Sequence, residues 1–255
     1  MKRATLVGIT NYDKSQYYNK LRGCLNDVKI WSNILSNQFG FVTNKKNNIK
    51  KEQILKEIEI LIRSLDENDI GLFMFSGHGI KLTDIDTNQK IHGLLDGDNK
   101  IIYEKEIEDL IIKYLSRKSS LVLIFDSCYS GGIIYEEKTY IGFRFSKPKL
   151  IAKGVSEYKE FDDYDKQFLM QSKLGDNSEN VTILSACDKN KLSFERLFID
   201  EYYGIFSFYA KEIVKQGYNY KTFIDKINTK INENENEKQK AEIEPQNNFS
   251  KKIFL

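Results

Sequence analysis

The sequence has few of the residues that mark several classes of protein. It contains three cysteines, two prolines, two histidines and one tryptophan in 255 residues. An odd number of widely separated cysteines favours a reducing compartment over a disulfide framework, so we expect a cytoplasmic protein. Neither a CxxC pair nor the His/Cys spacing of a zinc site occurs in the chain.

Net charge and long apolar runs are also lacking. The 39 basic and 37 acidic residues leave a formal charge of +2, which gives no electrostatic reason to expect nucleic acid or an anionic membrane as the main partner. No apolar run approaches the length of a transmembrane helix, and the run in "MKRATLVGITNYD" is too short for a signal peptide. The chain is 40% hydrophobic, enough for the core of one sizeable domain, which we expect to span residues 1–255.

Four short apolar runs are predicted to be buried β-strands. They are rich in Val, Ile, Leu and Phe without polar alternation, which is typical of parallel strands covered on both faces. The runs are Ala4–Ile9, Ile70–Phe75, Leu121–Phe125 and Val181–Ala186. Amphipathic segments with helical spacing separate or follow them, such as "LNDVKIWSNILSNQF" and "KKEQILKEIEILIRSL". Strands that alternate with helices predict an α/β, doubly wound fold.

Two stretches depart from this pattern. Residues 135–180 show no sustained periodicity, and a loop of that length is typically functional or disordered. Residues 232–248 are polar and low in complexity, so we expect them to be solvated. The closing "FSKKIFL" is a candidate edge strand.

Polar residues follow the second and third apolar runs directly. "SGHG" (Ser76–Gly79) follows one and "DSCYSGG" (Asp126–Gly132) follows the other. In an open α/β sheet, ligands bind outside the carboxyl ends of the strands, so His78 and Cys128 are expected at the same edge. A histidine base activates a cysteine nucleophile, and neighbouring glycines allow a close approach of substrate and of main-chain N–H groups.

A structural interpretation of the same residues stays open. A cysteine after an apolar strand is commonly a small buried hydrophobic residue, and a histidine between glycines can simply occupy a turn. The joint occurrence of Cys128 and His78 at equivalent strand ends favours the catalytic interpretation.

The two motifs together resemble those of the caspase-like cysteine peptidases, in particular the metacaspases and the bacterial caspase-like proteins. "LVGITNYD", "LRGCLNDVKIW", "LSACDKNKLSFE" and "GIFSFYAKEIV" are similar to further parts of that family. The resemblance implies a caspase-like sandwich, with a mostly parallel sheet of about six strands and helices on both faces. It also implies a Cys–His dyad, with Cys128 as nucleophile, His78 as general acid and base, and the backbone amides of Gly79 and Cys128 as oxyanion donors. Tyr129 stands where many metacaspases have histidine.

The resemblance also implies where the side chain before the scissile bond is bound. Asp126 and Asp27 match the two acids of the metacaspase pocket, and Cys24 and Ser76 match neighbouring positions. A pair of half-buried carboxylates favours arginine or lysine, because leaving such a charge unpaired costs about 3–5 kcal/mol. The alternative is that Asp27 is a solvated helix residue and Asp126 a capping group.

Two expectations concern regulation. The resemblance implies no cofactor for the chemistry but calcium as a candidate activator, with candidate ligands Asp84, Asp86, Asp96 and Asp98. The segment "DGDNK" lacks the spacing and terminal glutamate of a calcium loop, so solvated hairpin acids are the alternative. The basic residues in 135–180 suggest the hypothesis that a peptidase specific for Arg or Lys processes itself.

Taken together, the sequence predicts an Arg/Lys-specific cysteine endopeptidase that acts on protein substrates under the control of a signal or partner. The alternatives are a caspase-like enzyme with another preference before the scissile bond, and a non-catalytic caspase-like interaction module. A nucleotide-binding protein is disfavoured because neither GxGxxG nor GxxxxGK[ST] follows a strand.

Overall fold

A computed structural model describes residues 1–12, 20–83, 90–127, 146–148, 179–187, 192–235, 239–244 and 246–255. The strands among these residues are β1 (Lys2–Gly8), β2 (Val42–Asn47), β3 (Ile70–Ser76), β4 (Gly79–Thr83), β5 (Lys90–Leu95), β6 (Ile101–Tyr103), β7 (Ser120–Asp126), β8 (Ser146–Pro148), β9 (Val181–Ser185), β10 (Phe194–Phe198), β11 (Glu201–Gly204) and β12 (Glu242–Glu244). The helices are α1 (Cys24–Phe39), α2 (Lys51–Arg63), α3 (Glu104–Tyr114), α4 (Ile205–Ile213) and α5 (Tyr220–Asn234).

Six strands form the central sheet, in the order β12, β9, β7, β3, β1, β2. The pairing of β12 with β9 is antiparallel, and the other four pairings are parallel. The four strands β1, β3, β7 and β9 correspond to the four apolar runs, and most of their residues are buried. The predicted α/β class with a mostly parallel sheet of six strands is therefore confirmed.

Helices cover both faces of this sheet, each through one apolar stripe. Helices α1, α4 and α5 share one hydrophobic core, in which Trp31, Phe206 and Phe223 are fully buried. Helices α2 and α3 share the core on the opposite face, built around Ile54 and Ile107. The helical spacing quoted from the sequence predicted α1 and α2.

Two small antiparallel sheets of three strands each accompany the central sheet. Strands β4, β5 and β6 form one of them, directly after β3. Strands β11, β10 and β8 form the other, in which β8 brings residues 146–148 against β10. Apart from 146–148 and 179–180, the predicted irregular loop at 135–180 lies outside the described residues.

The expectation that residues 232–248 are solvated holds for 232–234, which are exposed, but is wrong for much of the described remainder. Strand β12 completes the sheet beside β9. Gln239 and Asn248 are buried, and their side-chain amides donate to the carbonyls of Ala186 and Val181, each at 2.9 Å. The prediction failed because a polar side chain can be buried when it donates to a backbone carbonyl, as these two amides do.

The sheet edges were also predicted incorrectly. The closing "FSKKIFL" forms no edge strand, since Ile253 and Phe254 are buried in the core and Lys252 makes an isolated bridge to Asn219. Strand β2 was missed because "VTNKKN" is polar and mostly exposed, as an edge strand commonly is. No helix in the described part of the chain is long and apolar enough to cross a membrane.

Candidate active site

The carboxyl ends of three parallel strands meet at one edge of the sheet. Gly8 at the end of β1 is in register with Ser76 at the end of β3, and Ser76 is in register with Asp126 at the end of β7. The segments that carry His78 and Cys128 therefore leave the sheet from adjacent strands. Cys128, the predicted nucleophile, lies outside the described residues, directly after Ser127.

His78 is fully buried between β3 and β4, and its backbone is held on both sides. Its N–H donates to the hydroxyl of Tyr12 at 2.7 Å, and its carbonyl accepts the N–H of Leu95 at 3.0 Å. Gly79 begins β4, in register with Leu94 of β5. The catalytic role of His78 and the oxyanion role of the Gly79 amide stay predictions.

Asp27 lies in the first turn of α1 and is fully buried, so it is not a solvated helix residue. The hydroxyl of Ser76 donates to its Oδ2 at 2.6 Å, and the N–H of Gly204 donates to its Oδ1 at 2.8 Å. Cys24 is fully buried at the start of the same helix. The structure thus brings together three of the four residues predicted for the pocket, Asp27, Cys24 and Ser76.

Asp126, the fourth, is also fully buried, at the end of β7. Its Oδ1 accepts the hydroxyl of Ser193 at 3.1 Å, and its Oδ2 accepts the hydroxyl and N–H of Ser207 at 2.5 and 3.3 Å. The indole N–H of Trp31 donates in turn to the Ser207 hydroxyl at 3.0 Å. Asp126 therefore caps α4.

Both carboxylates are held by the amino-terminal end of one helix. Gly204, which bonds Asp27, immediately precedes α4, and Ser207, which bonds Asp126, lies in its first turn. The hydroxyl and N–H donors, together with the positive end of the helix dipole, stabilise ionised carboxylates. Asp27 and Asp126 thus form a buried acidic cluster beside the strand ends.

Glu195 is a part of this site that the sequence analysis missed. It is fully buried on β10, and its carboxylate accepts the backbone N–H groups of Arg22 (3.0 and 2.9 Å) and Gly23 (2.7 Å). These are the residues directly before α1, so Glu195 caps the helix that carries Asp27. The sequence offered no signal for this contact, because its partners are far apart in the chain.

The hairpin of β10 and β11 packs closely on the start of α1. A Cβ on Gly23 would lie 2.9 Å from the backbone of Tyr203, so only glycine fits there without a shift. The Tyr203 hydroxyl donates to Glu201, and that bond, with burial and the charge of Asp27, raises the pKa of Tyr203 to about 12. The Tyr203 phenol is therefore protonated at neutral pH and bonded to Glu201 of the same strand.

The calcium candidates fall into two groups. Asp84 and Asp86 lie outside the described residues. Asp96 is fully buried, and its carboxylate accepts the backbone N–H groups of Lys51, Asp98 and Lys100 at 2.7–2.9 Å. Asp98 pairs with Lys50 at 2.6 Å. Within the described ranges, no group of three or more His, Cys, Asp or Glu side chains is placed to hold a metal ion.

Comparisons with known proteins agree with this geometry. The family model of the caspase domain, peptidase C14, matches residues 1–253. The chain is similar in fold to a Geobacter sulfurreducens protein (TM-score 0.73, 19% identity, 95% of this chain and 92% of that chain). It is also similar in fold to caspase-1 of Spodoptera frugiperda (TM-score 0.62, 13% identity, 95% and 85%).

Among curated proteins, the chain is similar to fungal metacaspases. It is 31% identical over 152 residues to metacaspase-1 of Meyerozyma guilliermondii, which is 51% of this chain and 35% of that protein. The corresponding values for metacaspase-1 of Debaryomyces hansenii are 33% over 152 residues, 51% and 33%. The matched part thus spans about a third of the length of these relatives.

Proposed function

The chain belongs to the caspase domain family, and from this premise we propose that it is a cysteine endopeptidase that cleaves protein substrates after arginine or lysine. The observation that carries the proposal is the register of Ser76 with Asp126. It makes the His78 and Cys128 segments leave the sheet from neighbouring strands, which is the arrangement that a Cys–His dyad needs.

In the proposed reaction, His78 holds the proton of the Cys128 thiol, and the thiolate attacks the carbonyl carbon of the scissile bond. A bond forms between Sγ and that carbon, and the electron pair of the carbonyl moves to its oxygen. The N–H groups of Gly79 and Cys128 stabilise the resulting oxyanion. His78 then gives the proton to the leaving nitrogen, and the C–N bond breaks.

The second half of the reaction releases the acyl group. A water molecule loses a proton to His78 and attacks the thioester carbon, and the C–S bond breaks. The proton returns to the sulfur, which restores the starting state. Each step uses only the thiol, the imidazole and backbone amides, so the chemistry requires no cofactor.

The preference for arginine or lysine is supported by the charges of the buried cluster. Serine hydroxyls and backbone N–H groups donate to Asp27 and Asp126 and fix the positions of the two carboxylates. A guanidinium or ammonium group beside them gains charge-assisted hydrogen bonds, whereas a substrate carboxylate is repelled. Asp27 and Asp126 are therefore the selecting residues of the proposed pocket, and Ser76 and Cys24 shape it.

The proposal also includes the biological setting. We place the enzyme in the cytoplasm, where its free cysteines stay reduced, and under the control of an activating signal or partner. Its substrates are proteins with an accessible arginine or lysine.

The test is cleavage of fluorogenic peptides that end in Arg, Lys or Asp, with Cys128→Ala and His78→Asn as loss-of-function variants. His92→Asn is the matched control, because His92 is the other histidine of the chain. We expect cleavage after Arg or Lys that persists in His92→Asn and vanishes in the two site variants. Cleavage that survives Cys128→Ala would refute the dyad, and cleavage only after Asp would refute the pocket.

A further inference from the structure

We propose that Tyr12 is a positioning residue for His78: its hydroxyl holds the His78 backbone, and its ring fixes the imidazole against rotation. The inference rests on the proposed role of His78 as general acid and base. Tyr12 itself takes no part in the bond-making and bond-breaking steps of the proposed reaction. It lies beyond the end of β1, four residues after Gly8.

The first contact concerns the backbone. The Tyr12 hydroxyl accepts the N–H of His78 at 2.7 Å. The His78 carbonyl is held on the other side by the N–H of Leu95, a main-chain group that only a proline substitution would remove. Tyr12 therefore supplies the side-chain half of this clamp, and it is the half that mutation can test.

The second contact concerns the imidazole. The Tyr12 and His78 rings lie 4.5 Å apart between centroids, with their planes tilted by 52°. This separation is at the short end of the range for favourable aromatic pairs. Rotation of the imidazole would lose the contact, so the Tyr12 ring limits the directions in which the His78 nitrogens can point.

Gly77 shows how closely the two segments approach. A Cβ on Gly77 would lie 2.7 Å from the Tyr12 hydroxyl and 2.7 Å from the ring of Phe75. Any larger residue would push Tyr12 away from the His78 N–H. The close approach of Tyr12 is thus a steric reason for glycine at position 77, the second residue of "SGHG".

Orientation matters because one imidazole serves two partners in sequence. His78 must take a proton from Cys128 and later deliver one to the leaving nitrogen, and small misplacements of such a group cost rate more than binding. The expected effect of losing Tyr12 is therefore on kcat, with KM nearly unchanged.

A spectroscopic measurement tests the ring contact without any activity. The chain has two histidines, so a His92→Asn background leaves the ring protons of His78 as the only imidazole signals. In the NMR spectrum we expect these signals to be displaced from those of free histidine by the Tyr12 ring current. Tyr12→Leu should remove the displacement and Tyr12→Phe should retain it. An unchanged signal in Tyr12→Leu would overturn the contact.

A kinetic measurement tests the positioning, with Tyr114 as control. Tyr114 is also a partly buried tyrosine, and it packs on the same hydrophobic core from the end of α3. We expect Tyr12→Leu to lower kcat by about tenfold to a hundredfold, with KM changed by less than about twofold. Tyr114→Leu should change neither. Equal kinetics of the two variants would overturn the proposal.

Tyr12→Phe keeps the test decisive if the leucine variant fails to fold. It retains the ring and loses the acceptor of the His78 N–H, so we expect kcat to fall about fivefold. A kcat equal to that of the parent would overturn the role of the hydroxyl. Parent activity that survives Cys128→Ala would instead refute the proposed function, and the NMR comparison would still decide the contact.

Discussion

The hydroxyl of Ser76 donates a hydrogen bond of 2.6 Å to Asp27, and this bond joins the end of β3 to the first turn of α1. Ser76 is also the register partner of Asp126 on β7. One serine therefore lies next to both buried acids of the proposed pocket. The acidic cluster is therefore built into the interior of the fold and does not consist of surface side chains.

Asp27→Asn is predicted to weaken cleavage after arginine. The substitution keeps the volume of the side chain and removes its charge, so a bound guanidinium loses one of its two charged partners. We expect kcat/KM for an arginyl peptide to fall about a hundredfold or more. Asp69→Asn is the matched control, since Asp69 is a buried acid that accepts the N–H of Asp66 before β3. A fall of the same size in both variants would indicate loss of folding and not of the pocket.

Glu195→Gln is predicted to raise KM. Its carboxylate caps α1 through Arg22 and Gly23, and the loss of its charge should let the start of that helix shift. We expect KM for an arginyl peptide to rise about fivefold, kcat to stay nearly constant, and the free energy of unfolding to fall by about 1–3 kcal/mol. Kinetics are measured on the arginyl peptide, and stability by urea unfolding.

The control for Glu195 is Glu106→Gln. Glu106 is also a buried glutamate that caps a helix, through the N–H of Tyr103 at α3, and it lies on the other face of the sheet. Glu106→Gln should lower the free energy of unfolding by a similar amount and leave KM unchanged. A rise in KM in both variants would contradict the proposed link between Glu195 and Asp27.

Asp96→Asn is predicted to destabilise the protein independently of calcium. The Asp96 carboxylate accepts three backbone N–H groups, one of them at the start of α2. We expect the free energy of unfolding to fall by about 1–3 kcal/mol, and by the same amount in calcium and in chelator. Urea unfolding in the two buffers measures this. A loss of stability seen only in calcium would make Asp96 a ligand.

Self-processing, if the enzyme cleaves after Arg or Lys, is predicted to spare Lys147. The main chain of Lys147 is paired with Glu195 in the small sheet, and the next residue is Pro148, which has no N–H. We expect mass spectrometry of incubated enzyme to find cuts at other basic residues of 135–180, namely Lys138, Arg144, Lys149, Lys153, Lys159, Lys166 and Lys173. Cys128→Ala should stay intact. A dominant cut after Lys147 would contradict the prediction.

Local patterns predicted the parts of the fold whose residues are buried on both faces. The runs that became β3 and β7 are continuous apolar segments, and parallel strands under helices require that composition. Strands β2 and β12 were missed because edge strands tolerate polar residues, so composition does not distinguish them from loops. The family resemblance inferred from the two motifs was confirmed.

From the sequence, only residues within the quoted motifs could be predicted as parts of the candidate site. His78 follows a buried strand, and its position at the strand end follows from the pattern of the sheet. Tyr12 and Glu195 lie in stretches that resemble the family, but their roles could not be found in this way, because each acts through a contact with a distant segment. Their side-chain types carry no signal for such a role until the fold brings the segments together.

The most direct test of the central claim is covalent labelling with a peptide chloromethyl ketone that ends in arginine, compared with one that ends in aspartate. The warhead forms a bond to a reactive thiol, and Cys24 and Cys187 are buried. Peptide mapping by mass spectrometry should find the arginyl label on Cys128 alone, with little aspartyl label. A preference for the aspartyl probe, or an arginyl label on another residue, would contradict the proposed peptidase.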